Sequence, residues 1–576
     1  MQTPLPSSTW RLEALAVALA TAVGMVLRAW PPGRLGLTHF DEGIYAIAGT
    51  WIYPPHRIDP MLIPYAPPGF PILVGLMYAI LGPSDVAAIA VSQVAGTATI
   101  PVVAWLARRT FGAGSGFAAA TLVALSGPHI AFSRMALTDA SFLLAWLMAL
   151  GAGMRFLERP GLARALAMGL AVGMAQDFKY NGWLAGGIVL ATALFGMTTH
   201  RESRLASRWK RTFGWGGLAV IVAALVVLPW FLFVEGHGGY SGLLRHQRSY
   251  LGGWARWPSA FRAQAAQAVG LSGARWLVIF AWLAAGIGAW LVRSISISGG
   301  RPTTGDRSLI VGALAAGALI LDIVPDGAWW LGLLLLPGLL LGSEVSTRLM
   351  GVGWLILSVL TPLYHPYARL WLPVQAAGWI ILGGMLGAGF AGSRAYLRRL
   401  RGRAMSSDPS FLRFGLAWGW LLAVGTGCSI FLEKTRDFPR VLPGLLAPSD
   451  SLRHAASRIV AKMPADVRAV RFFGRPSLAF YLGGRIPLAT QGESKTLFRP
   501  GDARTWILTD EAVLPPSTFF GPGRWSYSET IDSRLALPTL LDIHPGAASH
   551  RDARIISRWG DAELRLFRSR PPEEAP

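Results

Sequence analysis

The stretch WGGLAVIVAALVVLPWFLFV, residues 215–234, carries no charged side chain over a length sufficient to cross a bilayer as a helix. Comparable apolar runs recur along the whole 576-residue chain, which is 52% hydrophobic and only 15% charged. A water-soluble enzyme of this length does not normally contain so much apolar sequence. The pattern therefore predicts an all-α polytopic membrane domain, in which helices satisfy the backbone within the lipid.

Basic residues cluster in the short segments between these runs and account for much of the net charge of +22. Examples are RESRLASRWKR (201–211) and SRAYLRRLRGR (393–403). Such clusters follow the positive-inside rule, so we expect them to contact membrane lipid and expect no nucleic-acid partner. The single cysteine, Cys428, cannot form an intramolecular disulfide.

Placing the basic loops in the cytoplasm predicts about thirteen spans in the plasma (inner) membrane, with a cytoplasmic N-terminus. The transmembrane domain is predicted over 1–435, with external loops at 30–84 and 235–271. An odd number of spans leaves the C-terminal segment outside the cytoplasm. In the first external loop, Pro-rich and aromatic sequence predicts short helices rather than a span.

The composition changes after about residue 440, and the remaining chain has the length of a small domain. Strands are predicted at 468–474, 485–490 and 505–510, and helices at 451–463 and 476–484. We therefore expect a C-terminal α/β extracytoplasmic domain over 440–576, in which no motif indicates a role.

Ionisable and polar residues that seem misplaced beside apolar runs all lie at the predicted external ends of spans. They are Asp41, Glu42, Arg134, Asp139, Asp177, Lys179, His365 and Arg369. Scattered structural charges should not prefer one side of a membrane. The bias predicts a shared site at the outer membrane boundary.

Four segments in this order carry a resemblance: FDE (40–42), SRMALTD (133–139), DFKYNG (177–182) and HPYARLWLP (365–373). Together with the span pattern and the external tail, they resemble the GT-C membrane glycosyltransferases. The nearest branch contains the protein O-mannosyltransferases and the aminoarabinose transferases of lipid A. The resemblance implies inverting transfer of a sugar from a polyprenyl-phosphate donor to a hydroxyl of a protein, glycolipid or wall polymer.

This chemistry needs a carboxylate that takes the hydroxyl proton and cations that hold the departing phosphate. By the family pattern Asp41 is the base and Glu42 orients the site or binds substrate. Neighbouring side chains on a helix point about 100° apart, so the two acids should have different surroundings. The alternative is an acidic pair at the N-terminus of a helix that begins at Thr38.

Asp139 is expected to be a second carboxylate for acceptor, donor sugar or metal, and Arg134 a phosphate ligand. Their alternatives are an N-cap for Asp139 and an interfacial, snorkelling side chain for Arg134. A divalent metal on Asp41 and Asp139 is possible from the sequence. His39 and His56 could add ligands, but no tight ligand spacing supports this.

Lys179, beside Tyr180, is predicted to be a point charge for the lipid phosphate, the alternative being an ion pair with Asp177. The fork of Arg369 suits phosphate oxygens, with His365 and Tyr367 as neighbouring substrate ligands.

Two other functions remain as alternatives. One is an oligosaccharide ligase that uses a pyrophosphate-linked donor. The other is a lipid or ion transporter, which should carry polar residues near mid-bilayer and paired repeats; the sequence shows neither.

Overall fold

The protein is described from a computed structural model. It defines residues 7–50, 66–199, 204–248, 250–261, 345–365, 368–381, 383, 448–473, 476–488, 504–510, 525–531 and 564–569.

The helices whose bounds the structure defines between the N-terminus and residue 360 are numbered in chain order. They are α1 (Ser7–Ala29), α2 (Phe40–Gly49), α3 (Gly69–Leu81), α4 (Asp85–Phe111), α5 (Ser115–Ala124), α6 (Gly127–Ser133), α7 (Thr138–Glu158), α8 (Leu162–Phe178), α9 (Leu184–Thr199), α10 (Arg204–Gly236), α11 (Gly239–Arg248) and α12 (Val345–Leu360). Two 3₁₀ turns, Thr361–Leu363 and Ala368–Trp371, follow α12. The first predicted external loop contains the short helices α2 and α3, as expected.

Five helices in the described part of the chain are long and apolar enough to cross a membrane: Arg11–Ala29, Asp85–Phe111, Thr138–Glu158, Trp209–Gly236 and Val345–Leu363. The pair α5 and α6 becomes a sixth if it counts as one broken span, since the two helices meet at 61°. Several helices expose large apolar side chains, among them Leu15 (68%) and Leu225 (61%), as expected of surfaces that face lipid. The protein is therefore a multi-pass membrane protein.

The count of thirteen spans stays a prediction. Predicted spans 5 and 6 correspond to α8 and α9, which are shorter than the five long helices. Predicted spans 8 to 10 and 13 lie outside the described residues.

The chain divides into two compact units. The first unit comprises Met1–Arg28, Ala95–Ile130 and Phe142–Pro443, and the second comprises Ala29–Val94, Ala131–Ser141 and Gly444–Pro576. Each unit thus joins segments that are distant in sequence. A separate domain over 440–576 remains a prediction.

Small residues bring helices of the first unit close together. A Cβ added at Gly169 of α8 would lie 2.4 Å from the carbonyl oxygen of Ala219 in α10, and one at Gly173 would lie 2.7 Å from Val226 Cβ. Backbones this close are typical of packed membrane helices, where dispersion contacts replace the hydrophobic effect.

In the described residues of the C-terminal part of the chain, the second unit contains two helices and four strands. They are α13 (Ser451–Lys462), β1 (Ala469–Phe473), α14 (Pro476–Leu482), β2 (Thr505–Asp510), β3 (Trp525–Ile531) and β4 (Leu564–Ser569). The sheet order is β1-β2-β4-β3, with β1 and β2 parallel and the other pairs antiparallel.

Both predicted helices and two of the three predicted strands have counterparts here. The predicted strand 485–490 is represented by a single bridge between Val470 and Leu488, and residues 489–490 are outside the described set. Strands β3 and β4 were not predicted. Their ladders join segments remote in sequence, so local pattern is a weak guide to them.

Candidate functional site

The residues predicted for the site fall into two groups, one in each unit. Asp41, Glu42, Arg134 and Asp139 belong to the second unit. Lys179, Tyr180, His365 and Arg369 belong to the first. Tyr367 lies outside the described residues.

Helix α2 begins at Phe40 with His39 as its N-cap. The ring nitrogen Nδ1 of His39 accepts the backbone N–H of Asp41 at 3.1 Å, and Glu42 Oε2 accepts the backbone N–H of His39 at 2.7 Å. These reciprocal bonds form a capping box, with histidine in the place usually taken by serine or threonine. The helix N-terminus that the sequence left as an alternative is therefore present, two residues later than Thr38.

Glu42 is fully buried, and both its carboxylate oxygens accept hydrogen bonds. Oε2 accepts the Thr38 N–H at 2.8 Å besides that of His39, and Oε1 accepts the Ala136 N–H at 2.7 Å. Burial raises the pKa of Glu42, and the three backbone donors oppose this shift. Glu42 thus joins the segment before α2 to the segment before α7, which fits a supporting role.

Asp41 has different surroundings from its neighbour. Its side chain is 28% exposed, and Oδ2 lies 4.0 Å from His39 Nδ1. Consecutive helical residues point in different directions, so one acid can be held in the interior while the other reaches solvent. Asp41 is accordingly the member of the pair that a substrate hydroxyl can approach.

Arg134 and Asp139 flank the segment that Glu42 holds. Arg134 is 6% exposed and donates to the carbonyl of Trp30, so it is not the surface arginine of the alternative interpretation. Burial lowers the pKa of its guanidinium to about 10, which leaves it charged at neutral pH. Asp139 is 1% exposed in the first turn of α7. Because α7 begins at Thr138, Asp139 lies inside the helix and is not its N-cap, although an acid in the first turn suits the helix dipole.

Lys179 and Tyr180 follow the C-terminus of α8 in the first unit. The ammonium of Lys179 lies 5.7 Å from the centre of the Phe142 ring, within reach of a cation–π contact. The hydroxyl of Tyr180 accepts the indole N–H of Trp230 at 2.9 Å. Tyr180 is therefore fixed at the turn that presents Lys179.

His365 lies in a loop held by the segment after α11. Its N–H donates to the Tyr250 carbonyl at 2.7 Å, and the rings of Tyr250 and Tyr364 stack with centres 5.8 Å apart. Arg369 follows in the second 3₁₀ turn. The structure thus brings His365 of the predicted motif into contact with the predicted external loop 235–271.

An apolar cavity of about 420 Å³ lies between α9 and α12 in the first unit. It is lined by Trp183, Leu184, Gly187, Ile188, Leu355, Ile356, Val359 and Leu360. Trp183 stands in the same turn as Lys179, and its N–H donates to Gln176 Oε1 at 3.0 Å. This cavity could not be predicted from the sequence, because its two walls are far apart in the chain.

No group of three or more His, Cys, Asp or Glu side chains is placed to hold a metal among the residues that the structure defines. His56 lies outside them. Both oxygens of Glu42 are already used by backbone donors. A metal on Asp41 and Asp139 stays a prediction.

The fold is similar to that of solved GT-C membrane transferases. ArnT from Cupriavidus metallidurans, bound to undecaprenyl phosphate, matches with a TM-score of 0.53 at 16% identity, over 97% of this chain and 98% of that one. The apo oligosaccharyltransferase of Archaeoglobus fulgidus matches with a TM-score of 0.52 at 14% identity, over 86% and 69%. At these identities the likeness shows the fold alone.

Sequence comparison indicates the branch. Residues 65–230 match the family model described as dolichyl-phosphate-mannose-protein mannosyltransferase. The undecaprenyl phosphate-alpha-4-amino-4-deoxy-L-arabinose arabinosyl transferase of Pseudomonas paraeruginosa is 30% identical over 237 residues, which are 39% of this chain and 40% of that protein. The match thus spans two fifths of the curated relative. The resemblance to the mannosyltransferase and aminoarabinose transferase branch of the GT-C glycosyltransferases is confirmed.

Proposed function

We propose that the protein transfers a sugar, with inversion, from a polyprenyl-phosphate donor to an acceptor hydroxyl at the outer face of the plasma membrane. The observation that carries this proposal is the partly exposed carboxylate of Asp41 next to the buried, hydrogen-bonded Glu42, on a GT-C fold. The similar ArnT structure contains undecaprenyl phosphate, which supports a lipid-phosphate donor.

In the proposed reaction the acceptor oxygen attacks the anomeric carbon of the donor sugar. Asp41 takes the hydroxyl proton, the bond from the anomeric carbon to the phosphate oxygen breaks, and the lipid phosphate leaves with the bonding electrons. Lys179 and Arg369 stabilise the negative charge that grows on this phosphate. Asp139, Arg134, Tyr180, His365 and Tyr367 are proposed to contact donor or acceptor.

The apolar cavity between α9 and α12 is proposed to take part of the polyprenyl chain. Its lining has almost no polar surface, and Lys179 stands in the turn at which it begins. A lipid phosphate held by Lys179 would thus have an apolar surface next to it for its first isoprene units.

The outer location rests on the distribution of Lys and Arg. The basic segments 201–211 and 393–403 are proposed to be cytoplasmic, and 235–271 and 440–576 to be extracytoplasmic. The proposed acceptor is a hydroxyl of a glycolipid, a protein or a wall polymer.

The test is sugar transfer by the purified protein in detergent or vesicles, with undecaprenyl-phosphate sugars as donors. Mass spectrometry of surface glycans from cells with and without the protein identifies the acceptor. Product from a monophosphate donor supports the proposal. Product only from a pyrophosphate-linked oligosaccharide would favour the ligase instead. If neither product forms and solute enters the vesicles, the protein would instead be a transporter.

The phosphate ligands are tested by Lys179→Ala and Arg369→Ala. Each loss should cost about 2–4 kcal/mol of transition-state stabilisation if the contact strengthens as the phosphate leaves. Lys210→Ala, which removes an exposed lysine of α10, is the matched control and should leave transfer unchanged. Normal turnover at low donor concentration in both test variants would exclude these two cations as the phosphate ligands.

A further inference from the structure

The backbone just before α2 is irregular and yet buried. Residues 34–38 form neither helix nor strand, and Leu37 and Thr38 are 0% and 1% exposed. Buried backbone N–H and C=O groups that have no helix or strand partner must bond elsewhere. We call residues 33–39 the pre-helix segment, since they lead directly to Phe40 and Asp41.

Several backbone groups of the pre-helix segment bond to the C-terminal part of the second unit. The Leu37 N–H donates to the phenol oxygen of Tyr481 at 2.7 Å, and the Gly36 N–H donates to Ser449 Oγ at 3.1 Å. The Gly33 carbonyl accepts from Arg453 at 3.0 Å, and the His39 carbonyl accepts from Ser477 Oγ at 2.5 Å.

Tyr481 is the centre of this arrangement. Its phenol accepts from Leu37 and donates to Asp85 Oδ2 at 2.6 Å, and the same carboxylate oxygen accepts from Arg453 Nε at 2.8 Å. Burial, with Asp85 beside it, raises the pKa of Tyr481, so the phenol stays protonated and can donate. Tyr481 therefore couples the pre-helix segment to the first turn of α4.

Backbone contact between α2 and α14 adds a steric constraint. A Cβ added at Gly43 would lie 1.9 Å from the backbone nitrogen of Ser477 and 2.1 Å from the carbonyl carbon of Pro476. Only glycine permits this approach, one residue after Glu42. The first turn of α2, which carries Asp41, is thus held at the pre-helix segment by hydrogen bonds and at Gly43 by packing.

We propose that residues 449–473 and 476–482 are part of the catalytic apparatus and that Tyr481 is a positioning residue, which fixes the backbone at Leu37 and thereby places Asp41 for proton transfer. This inference rests on the proposed function of Asp41 as the base. It gives a role to a segment in which the sequence shows no motif. A small misplacement of a base lowers the rate of the chemical step more than it lowers substrate affinity.

The test is Tyr481→Phe, which removes only the hydroxyl and leaves the Leu37 N–H without its acceptor. We expect kcat to fall about 10–100-fold, with KM for the lipid donor changed by less than about threefold. Hydrogen–deuterium exchange at residues 33–41 should become faster.

Tyr78→Phe is the matched control, since Tyr78 is also a buried tyrosine of the second unit whose hydroxyl bonds to backbone, at Ala46 O, 3.0 Å away. Ala46 lies beyond Asp41, so kcat should stay within about twofold of the wild-type value. Equal losses of kcat in both variants would overturn the inference in favour of general destabilisation.

Ser477→Ala provides a milder second variant should Tyr481→Phe fail to fold. It removes the donor to the His39 carbonyl and should give the same split between kcat and KM. If the unmodified protein is active and a folded variant has the same kcat, the inference is overturned and the proposed function is unaffected. Inactivity of the wild-type protein with every donor would instead overturn both.

Discussion

Asp41 and Glu42 are adjacent in sequence, and the capping box separates them in environment. Glu42 is fixed by backbone donors from two segments, whereas Asp41 keeps an exposed face beside His39. The sequence predicted two acids with different surroundings from helix geometry alone. It could not show which acid is buried, because that depends on Ala136, which is remote in the chain.

The first prediction concerns Asp41→Asn. The substitution keeps size and shape but removes the charge and the ability to accept a proton, so transfer should fall about 10²–10⁴-fold. Asp41 is not the N-cap, so the free energy of unfolding should fall by no more than about 1 kcal/mol, the value of one helix-dipole contact. Steady-state kinetics and thermal unfolding separate the two effects. A fully active Asp41→Asn protein would leave this acid with a structural role only.

The second prediction concerns Glu42→Gln. From the sequence, Glu42→Gln should impair transfer less than Asp41→Asn. In the structure both oxygens of Glu42 accept hydrogen bonds from backbone N–H groups. In either orientation of a glutamine side chain, its NH₂ group would face one of these N–H donors, and that hydrogen bond would be lost. One buried donor left unpaired costs about 1–3 kcal/mol, and opposed donors cost at least that.

We therefore expect Glu42→Gln to lower the unfolding midpoint more than Asp41→Asn does, as measured by thermal unfolding in detergent. Equal midpoints for the two variants would show that the Glu42 bonds contribute little to stability.

At the scale of elements, the long apolar helices were predictable because their pattern is local. The break between α5 and α6 was not predictable in this way. A single span was predicted over 112–128, whereas α5 ends at Ala124 and α6 continues at an angle of 61° to it. The guanidinium of Arg28 donates to the carbonyls of Val123 and Ala124 at 3.1 and 3.3 Å. These bonds reach carbonyls at the C-terminus of α5, and they come from another helix.

The contacts of the pre-helix segment were unpredictable for the same reason. Tyr481 stands in PSLAFYLGG, a stretch whose pattern predicts a helix and indicates nothing about a partner. Only tertiary structure brings its hydroxyl to the Leu37 N–H. Sequence thus located Asp41, Glu42 and the helix beside them, but not the groups that hold them.

The third prediction concerns the apolar cavity between α9 and α12. A Cβ at Gly187 would meet the Trp183 ring at 3.6 Å, so Gly187→Leu should fill the space rather than disrupt the helix. KM for a long-chain polyprenyl donor should rise about tenfold, as expected from a loss of about 1.4 kcal/mol. A donor with one or two isoprene units should be affected less.

Gly217→Leu is the control for this substitution, because a Cβ at Gly217 of α10 meets nothing within 4 Å. It should leave KM unchanged for both donors. An unchanged KM for the long-chain donor in Gly187→Leu would show that the chain lies elsewhere.

At the scale of the whole molecule, the fourth prediction is the sidedness of the chain. In a Cys428→Ser background, Asp466→Cys should react with a membrane-impermeant maleimide from outside, and Lys210→Cys only after permeabilisation. Both positions are exposed in the structure. Labelling of Asp466→Cys only after permeabilisation would place the C-terminal segment in the cytoplasm and exclude an outer-face site.

The bond between Leu37 and Tyr481 joins residues 444 positions apart, and that between Arg34 and Asp450 joins residues 416 apart. A ribosome adds about 5–20 residues per second, so Tyr481 emerges roughly 20–90 s after Leu37. During that interval the early helices can insert while the backbone ahead of Asp41 still lacks its partners. If Tyr481 places Asp41 as proposed, a nascent chain reaches its full rate of transfer only after residue 481 has been translated.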